Sequence, residues 1–248
     1  MDLGSLRQQT RLLERTHTFE QYKLPYKELE CVTTENGRHY ISPNGKKLTS
    51  VTTMLGRSSD HGWLDEWRER LGAAAADAET QRCADRGEAV HLACELYLGN
   101  APMEKVRAAA GNYFFMYKQL HPHLNKVTKV YAQEIPLYSE TLGLAGRVDF
   151  VGVYNGKACI LDFKTSNLNK TRGMIEDYSI QLCLYSFMFE EMFGKRIDTL
   201  INVISNERSP VATVIEFNRN DVAEKAIERV KLYRKMDAER GGDWVNAA

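Results

Sequence analysis

Gly146-Arg147-Val148-Asp149-Phe150-Val151-Gly152-Val153-Tyr154-Asn155-Gly156-Lys157-Ala158-Cys159-Ile160-Leu161-Asp162-Phe163-Lys164-Thr165 is the stretch whose reading decides the fold. It reads as two apolar strands joined by Asn-Gly, the dipeptide best suited to a tight two-residue hairpin turn. Pairing across Asn155-Gly156 returns the chain antiparallel and brings Asp149 and Asp162 towards the same end of adjacent strands. Side chains alternate faces along a strand, so Asp162 and Lys164 share a face at its end. Acids rarely stand in the body of a buried strand unless something pairs with them. Two carboxylates held side by side repel, and a divalent cation is one physical remedy. Ion pairing of one acid with Arg147 or Lys164 is the other, and these residues alone leave both open.

Outward from the hairpin the pattern is α/β. A strand over 130–137 precedes it and carries Glu134 near its end. A helix over 173–193, with Ile180, Leu184, Met188 and Met192 at helical spacing, follows it. Strands over 199–204 and 211–217 come next, and a helix over 221–237 closes the chain. Residues 61–120 read as helical, with an Ala-rich middle and a break at Gly99-Asn100-Ala101-Pro102. Residues 30–54 read as a β-meander with turns at Asn36-Gly37 and Asn44-Gly45. Leu3, Leu6, Leu12 and Leu13 suggest an amphipathic helix before it. The expected organisation is an N-terminal helix and meander over 1–60, then a core over 61–248 that includes the helical insert of 61–120. Its centre is a mixed β-sheet flanked by helices.

A chain of 248 residues can bury one sizeable core, and 43% apolar with 27% charged residues is an ordinary globular balance. No apolar run approaches the roughly 20 residues that span a bilayer, so no membrane partner is expected. The 33 basic and 33 acidic residues cancel, which excludes a strongly basic, histone-like mode of binding but not a local phosphate-binding patch. Five cysteines without a C-x-x-C pair argue against disulfides and zinc and for a reducing compartment.

Gly87-Glu88-Ala89-Val90-His91, then Gly146-Arg147-Val148-Asp149, then Asp162-Phe163-Lys164, then Gln181-Leu182-Cys183-Leu184-Tyr185 resembles the ordered motif set of the PD-(D/E)xK nuclease superfamily. The likeness is to the branch with the RecB nuclease domain and the mitochondrial genome maintenance exonuclease, and it spans about residues 87–185. It implies a restriction-endonuclease-like core and Mg²⁺- or Mn²⁺-dependent cleavage of DNA. Relatives with an iron–sulfur cluster carry cysteines after the Gln-x-x-x-Tyr helix. Here none follows Cys183, so no such cluster is expected.

The resemblance assigns roles residue by residue. Asp149, Asp162, the backbone carbonyl of Phe163 and a nitrogen of His91 would hold one or two metal ions. Lys164 would orient or deprotonate the attacking water. Gln181 and Tyr185, four apart on one helix face, would hold Lys164 and the DNA backbone. Glu134 and Glu88 are further candidates for a metal-bound water. Ser50, Thr52 and Arg86 would touch phosphates, with Lys170 and Arg172 as basic candidates beside the site. The leading expectation is an exonuclease acting from a free end, on single-stranded DNA threaded through a helical arch, in replication, recombination or repair. A structure-specific endonuclease or double-strand exonuclease, an RNA-processing enzyme and a non-catalytic DNA-binding module are the alternatives. Replication or recombination proteins are the expected partners. The expected location is the cytoplasm of a bacterial or phage-infected cell, with the mitochondrial matrix second.

Overall fold

The computed structural model describes residues 17–59 and 62–240; the helix expected near the N-terminus lies outside them. Nine strands form one mixed sheet: β1 Glu20–Gln21, β2 Glu30–Thr34, β3 Gly37–Ile41, β4 Lys47–Ser50, β5 Val127–Ser139, β6 Leu144–Tyr154, β7 Lys157–Ser166, β8 Thr199–Asn206 and β9 Thr213–Asn218. Among the described residues seven α-helices accompany them: α1 Val51–Ser58, α2 Gly62–Leu71, α3 Ala73–Leu98, α4 Met103–Ala110, α5 Phe114–Leu124, α6 Glu176–Phe193 and α7 Arg219–Glu239.

The β6–β7 hairpin forms as its sequence predicts. Tyr154 pairs with Lys157 and Phe150 with Leu161, and Asn155 (φ 48°) and Gly156 (φ 77°) take the left-handed conformations that a tight turn of this kind requires. From β7 the chain crosses over through α6 to the parallel strand β8, and β9 completes that side of the sheet. One face is covered by α1, α6 and α7, packed through Leu184, Met188, Val222 and Val230 onto Val148, Ile160 and Leu200. On the other face α3, α4 and α5 pack through Val90, Tyr97, Met116 and Leu120 onto Phe150, Leu161 and Phe163. Helices on both faces explain why β6 and β7 are apolar almost throughout.

Two expectations change. The meander's last strand stops at Ser50, because the Ser50 side chain accepts the Thr53 amide at 3.0 Å and starts helix α1 at Val51. Most of residues 61–120 forms a core layer and not an arch. Only α2 and the first half of α3, where Ala76 is the one buried residue between Ala73 and Asp85, stand clear of the sheet.

The placing of strand β6 creates the site. Along one edge it pairs with β5 throughout. Along the other it pairs with β4 at Leu144 and Ala145, and with β7 only from Phe150 onward. Between those two neighbours, Gly146 to Asp149 have an edge without a strand beside it, and a cleft opens there.

Candidate active site

The cleft holds about 480 Å³. Its walls are Glu88, His91 and Glu95 of α3, Ser50 and Thr52 at the start of α1, Arg38 and Tyr40 of β3, Glu134 of β5, Gly146, Arg147 and Asp149 of β6, and Gln181 and Tyr185 of α6.

Three acids, Glu134, Asp149 and Asp162, stand in a row across the sheet, and the first two line the cleft. Glu134 and Asp149 stand between the Gln133–Phe150 and Ile135–Val148 pairs, and Asp149 and Asp162 stand just beyond the Phe150–Leu161 pair. Glu134 was expected near a strand end; it lies inside β5 in a left-handed conformation (φ 49°), which breaks the regular ladder at that residue. At Asp149 the β6–β7 ladder continues through a side chain. The Phe163 amide donates to Asp149 Oδ2 at 2.9 Å, and His91 Nδ1 lies 3.2 Å from the same oxygen.

One ligand atom each from His91, Glu134 and Asp149 lies within 4.8 Å of the others. Carboxylate oxygens with one imidazole suit a hard divalent cation such as Mg²⁺ or Mn²⁺. Among the described residues no guanidinium pairs with these side chains: Arg147 turns to the Glu28 carboxylate at 2.6 Å and to the Glu134 backbone carbonyl, and its charge only partly offsets Glu134. That closes the alternative in which Arg147 is the partner of Asp149. Burial, reinforced by Asp149, Glu95 and Asp162, pushes Glu134 up to about 8.

Asp162, 1% exposed, stands next in the row. Its Oδ1 accepts from Lys164 Nζ at 2.6 Å and its Oδ2 from Asn202 Nδ2 at 3.0 Å. Burial pushes Asp162 up to about 6, Lys164 opposing and Asp149 adding to the rise. Burial works to lower the Lys164 ammonium, yet Asp162 and Asp149 more than offset it and hold it above the ordinary lysine value. Tyr178 of α6 covers that ammonium, with Nζ 5.4 Å from the ring centroid.

Gln181 and Tyr185 do not hold Lys164. Gln181 Nε2 donates to the Tyr185 hydroxyl at 3.3 Å, and both are buried in the cleft wall. A Cβ on Gly146 would come within 2.7 Å of the Tyr185 ring, so the glycine is what lets that ring lie on the β6 backbone.

Among the expected phosphate contacts, Ser50 and Thr52 do face the cleft, linked by a 3.0 Å hydroxyl contact. Arg86 does not. It is 3% exposed and bound to Thr165 Oγ1, Asn167 Oδ1 and Glu207 Oε1 at 3.2, 2.5 and 2.7 Å. Arg172 is also elsewhere, over the Phe217 ring at 4.4 Å and bound to the Glu216 carbonyl of edge strand β9. Lys170 is half-buried in the loop between β7 and α6, outside the cleft lining. The sequence reading missed Glu95, Tyr178, Asn202 and Arg38. Glu95 was legible four residues after His91 on one helix face, and Asn202 as the lone amide in Leu200-Ile201-Asn202-Val203-Ile204.

The family model of the PD-(D/E)XK nuclease superfamily matches residues 61–241. Over 131 residues the chain is 29% identical to mitochondrial genome maintenance exonuclease 1 of Mus musculus, covering 50% of this chain and 38% of that protein. The match thus spans well under half the length of that relative. Two solved structures are similar: SSO0001 (18% identity, 60% of this chain and 73% of that one, TM-score 0.32) and a Eubacterium rectale protein described provisionally as an exonuclease (11%, 78% and 69%, TM-score 0.34). No helix among the described residues is long and apolar enough to cross a membrane.

Proposed function

The chain belongs to the PD-(D/E)XK nuclease superfamily, and on that premise we propose that it is a Mg²⁺- or Mn²⁺-dependent DNA exonuclease that hydrolyses phosphodiester bonds from a free end. The observation that carries the proposal is the row Glu134–Asp149–Asp162, with His91 above it and Lys164 at its end. A bound divalent ion supplies Lewis-acid polarisation of the phosphate and a more acidic water. His91, Glu134 and Asp149 would hold it, with Asp162 and the Phe163 carbonyl completing the set. Lys164, kept protonated by Asp162, lays its ammonium where charge builds on the phosphate and orients the attacking water. Tyr185 and Gln181 form the wall against which the substrate backbone lies. Ser50, Thr52 and Arg38 hold the neighbouring phosphates at the mouth.

A cleft of this volume takes a short stretch of one strand more readily than a duplex, which supports a single-stranded substrate. Residues 1–60 bring the meander that frames the mouth, and 61–248 the catalytic core. Action in replication, recombination or repair, beside partners that unwind or load DNA, in a reducing cytoplasm, fits this reading.

End-labelled linear single-stranded and blunt duplex DNA, with a circular single strand beside them, test it with Mg²⁺, Mn²⁺ or EDTA. Metal-dependent loss of linear single strands, with circles spared and Asp162→Ala inactive, is the expected result. Cleaved circles would replace the exonuclease with an endonuclease. Preferential cleavage of RNA would change the substrate class. Binding without cleavage of any nucleic acid would leave a non-catalytic module.

A further inference from the structure

Asn202 is fully buried in β8 between apolar neighbours, Ile201 and Val203, and directly opposite Asp162 in the β7–β8 register. Its Nδ2 donates to Asp162 Oδ2 at 3.0 Å, while its Oδ1 is buried without a hydrogen-bond partner among the described residues. An ionised carboxylate carries only lone pairs, so the amide can face it only through its NH₂, and the unmet carbonyl is the consequence. A buried acceptor left unmet weakens folding, which an apolar residue in the same strand would not do. Packing therefore does not account for an asparagine here.

The geometry points to a positioning role: we propose that Asn202 fixes the rotation of the Asp162 carboxylate so that it can serve the metal and Lys164 together. This rests on the nuclease reading given above. Two donors, Asn202 on Oδ2 and Lys164 on Oδ1, define the carboxylate plane from opposite ends. The lone pairs left over on both oxygens are then held in one orientation towards the acidic row. Without Asn202 the carboxylate is tethered at one oxygen only and turns about its Cβ–Cγ bond. Residues that orient metal ligands in this way are worth about 10- to 100-fold in metal affinity or activity.

The test uses the full chain with Asn202→Leu, which keeps the branched shape and heavy-atom count of the side chain and removes both the donor and the orphaned carbonyl. Mn²⁺ binding by calorimetry, without DNA, is read beside melting temperature, kcat and the DNA KM. The expected result is a folded variant whose melting temperature changes little, the orphaned carbonyl removed against a donor lost from Asp162 Oδ2, with Mn²⁺ affinity and kcat each lowered about 10- to 100-fold and KM for DNA within about twofold. A folded Asn202→Leu with wild-type Mn²⁺ affinity and kcat overturns the inference. Should the leucine variant not fold, Asn202→Asp decides. It places an acceptor where the donor stood, is expected to lower kcat at least as far at unchanged KM, and overturns the inference by wild-type behaviour. Wild-type protein that binds no Mn²⁺ would instead overturn the metal-dependent reading beneath it, and this inference with it.

Discussion

Helix α3 carries two clusters of charge a few residues apart, and they behave in opposite ways. Glu79, Arg82 and Arg86 meet Glu207 in a balanced network of two acids and two guanidinium groups, joined at 2.5–3.3 Å and braced by Asn167. There, hydrogen bonds from Arg82 and Asn167 hold Glu79 down at about 2, and Arg82 also lowers Glu207. Further along the helix, Glu88, His91 and Glu95 line the cleft with Glu134 and Asp149, next to buried Asp162, an excess of acids whose nearest guanidinium, Arg147, is paired with Glu28. There the acids are pushed up, Glu134 to about 8 and Asp162 to about 6. The same residue types on one helix thus make a closed structural tie and an open site. What separates them is burial first, and then whether the protein supplies enough counter-charge of its own.

Neutralising an acid of the open cluster should have the largest effect on activity and little effect on stability. Asp149→Asn keeps an acceptor for the Phe163 amide but removes charge from the row. Cleavage should fall by about a thousandfold or more, the several kcal/mol a bound divalent ion contributes, and the calorimetric Mn²⁺ signal should vanish. Melting temperature should hold or rise. A large loss of stability with retained Mn²⁺ binding would place Asp149 with the structural cluster.

Breaking the closed cluster should do the reverse. Arg86→Met leaves Glu207 and Asn167 without their buried partner and should cost about 3 kcal/mol in urea unfolding, with Mn²⁺ affinity within about threefold of wild type. If Arg86→Met abolished DNA binding while folding stayed intact, Arg86 would be a phosphate contact after all.

The two clusters should also respond to pH with opposite sign. Glu134 has a folded value raised above the ordinary carboxylate range, so the metal-free fold binds its proton more tightly than the unfolded chain does. Its contribution to stability is present at low pH and is lost as pH rises towards about 8. Glu79 is lowered, so its smaller, solvent-screened contribution is present above the ordinary range and lost as pH falls towards about 2. Because a metal must displace the proton on Glu134, and below about pH 6 that on Asp162 as well, Mn²⁺ affinity should climb up to about pH 8, by up to about tenfold per unit for each proton released. Thermal melts with and without Mn²⁺ across that range check the slope, which Glu134→Gln should flatten.

Arg38→Ala should give the smallest effect. This exposed arginine lines the cleft mouth, and losing one phosphate contact should raise KM a few-fold, lower the salt dependence of DNA binding by about one charge and leave kcat unchanged. Arg172→Ala, held at the β9 edge, should change none of these. A reversal of that order would move the substrate path from the cleft to the sheet edge.

Much of this was legible in the chain. The Asn155-Gly156 turn set the register that puts Asp149 beside Asp162, because a two-residue turn leaves no freedom in pairing. Alternation along β7 put Asp162 and Lys164 together, and the order of short motifs pointed to the family. The burial of Arg86 was not legible, since its partners Thr165, Asn167 and Glu207 lie 79 or more residues away. Glu134 was named as a candidate for a metal-bound water, but its left-handed conformation inside a strand was not legible.

The sequence by itself determined the local geometry of the hairpin, the apolar strands and the identity of the charged groups, because turn chemistry and side-chain alternation act over a few residues. Only the tertiary structure decided which charges are balanced. β6 changes neighbours from β4 to β7 between Ala145 and Phe150, and that fork opens the cleft beside Asp149. The strand and helices packed around it then place Asn202 under Asp162, Tyr178 over Lys164 and His91 against Asp149. Those partners come from distant parts of the chain, and electrostatic balance in a buried site is a sum over whatever the fold brings within a few ångströms.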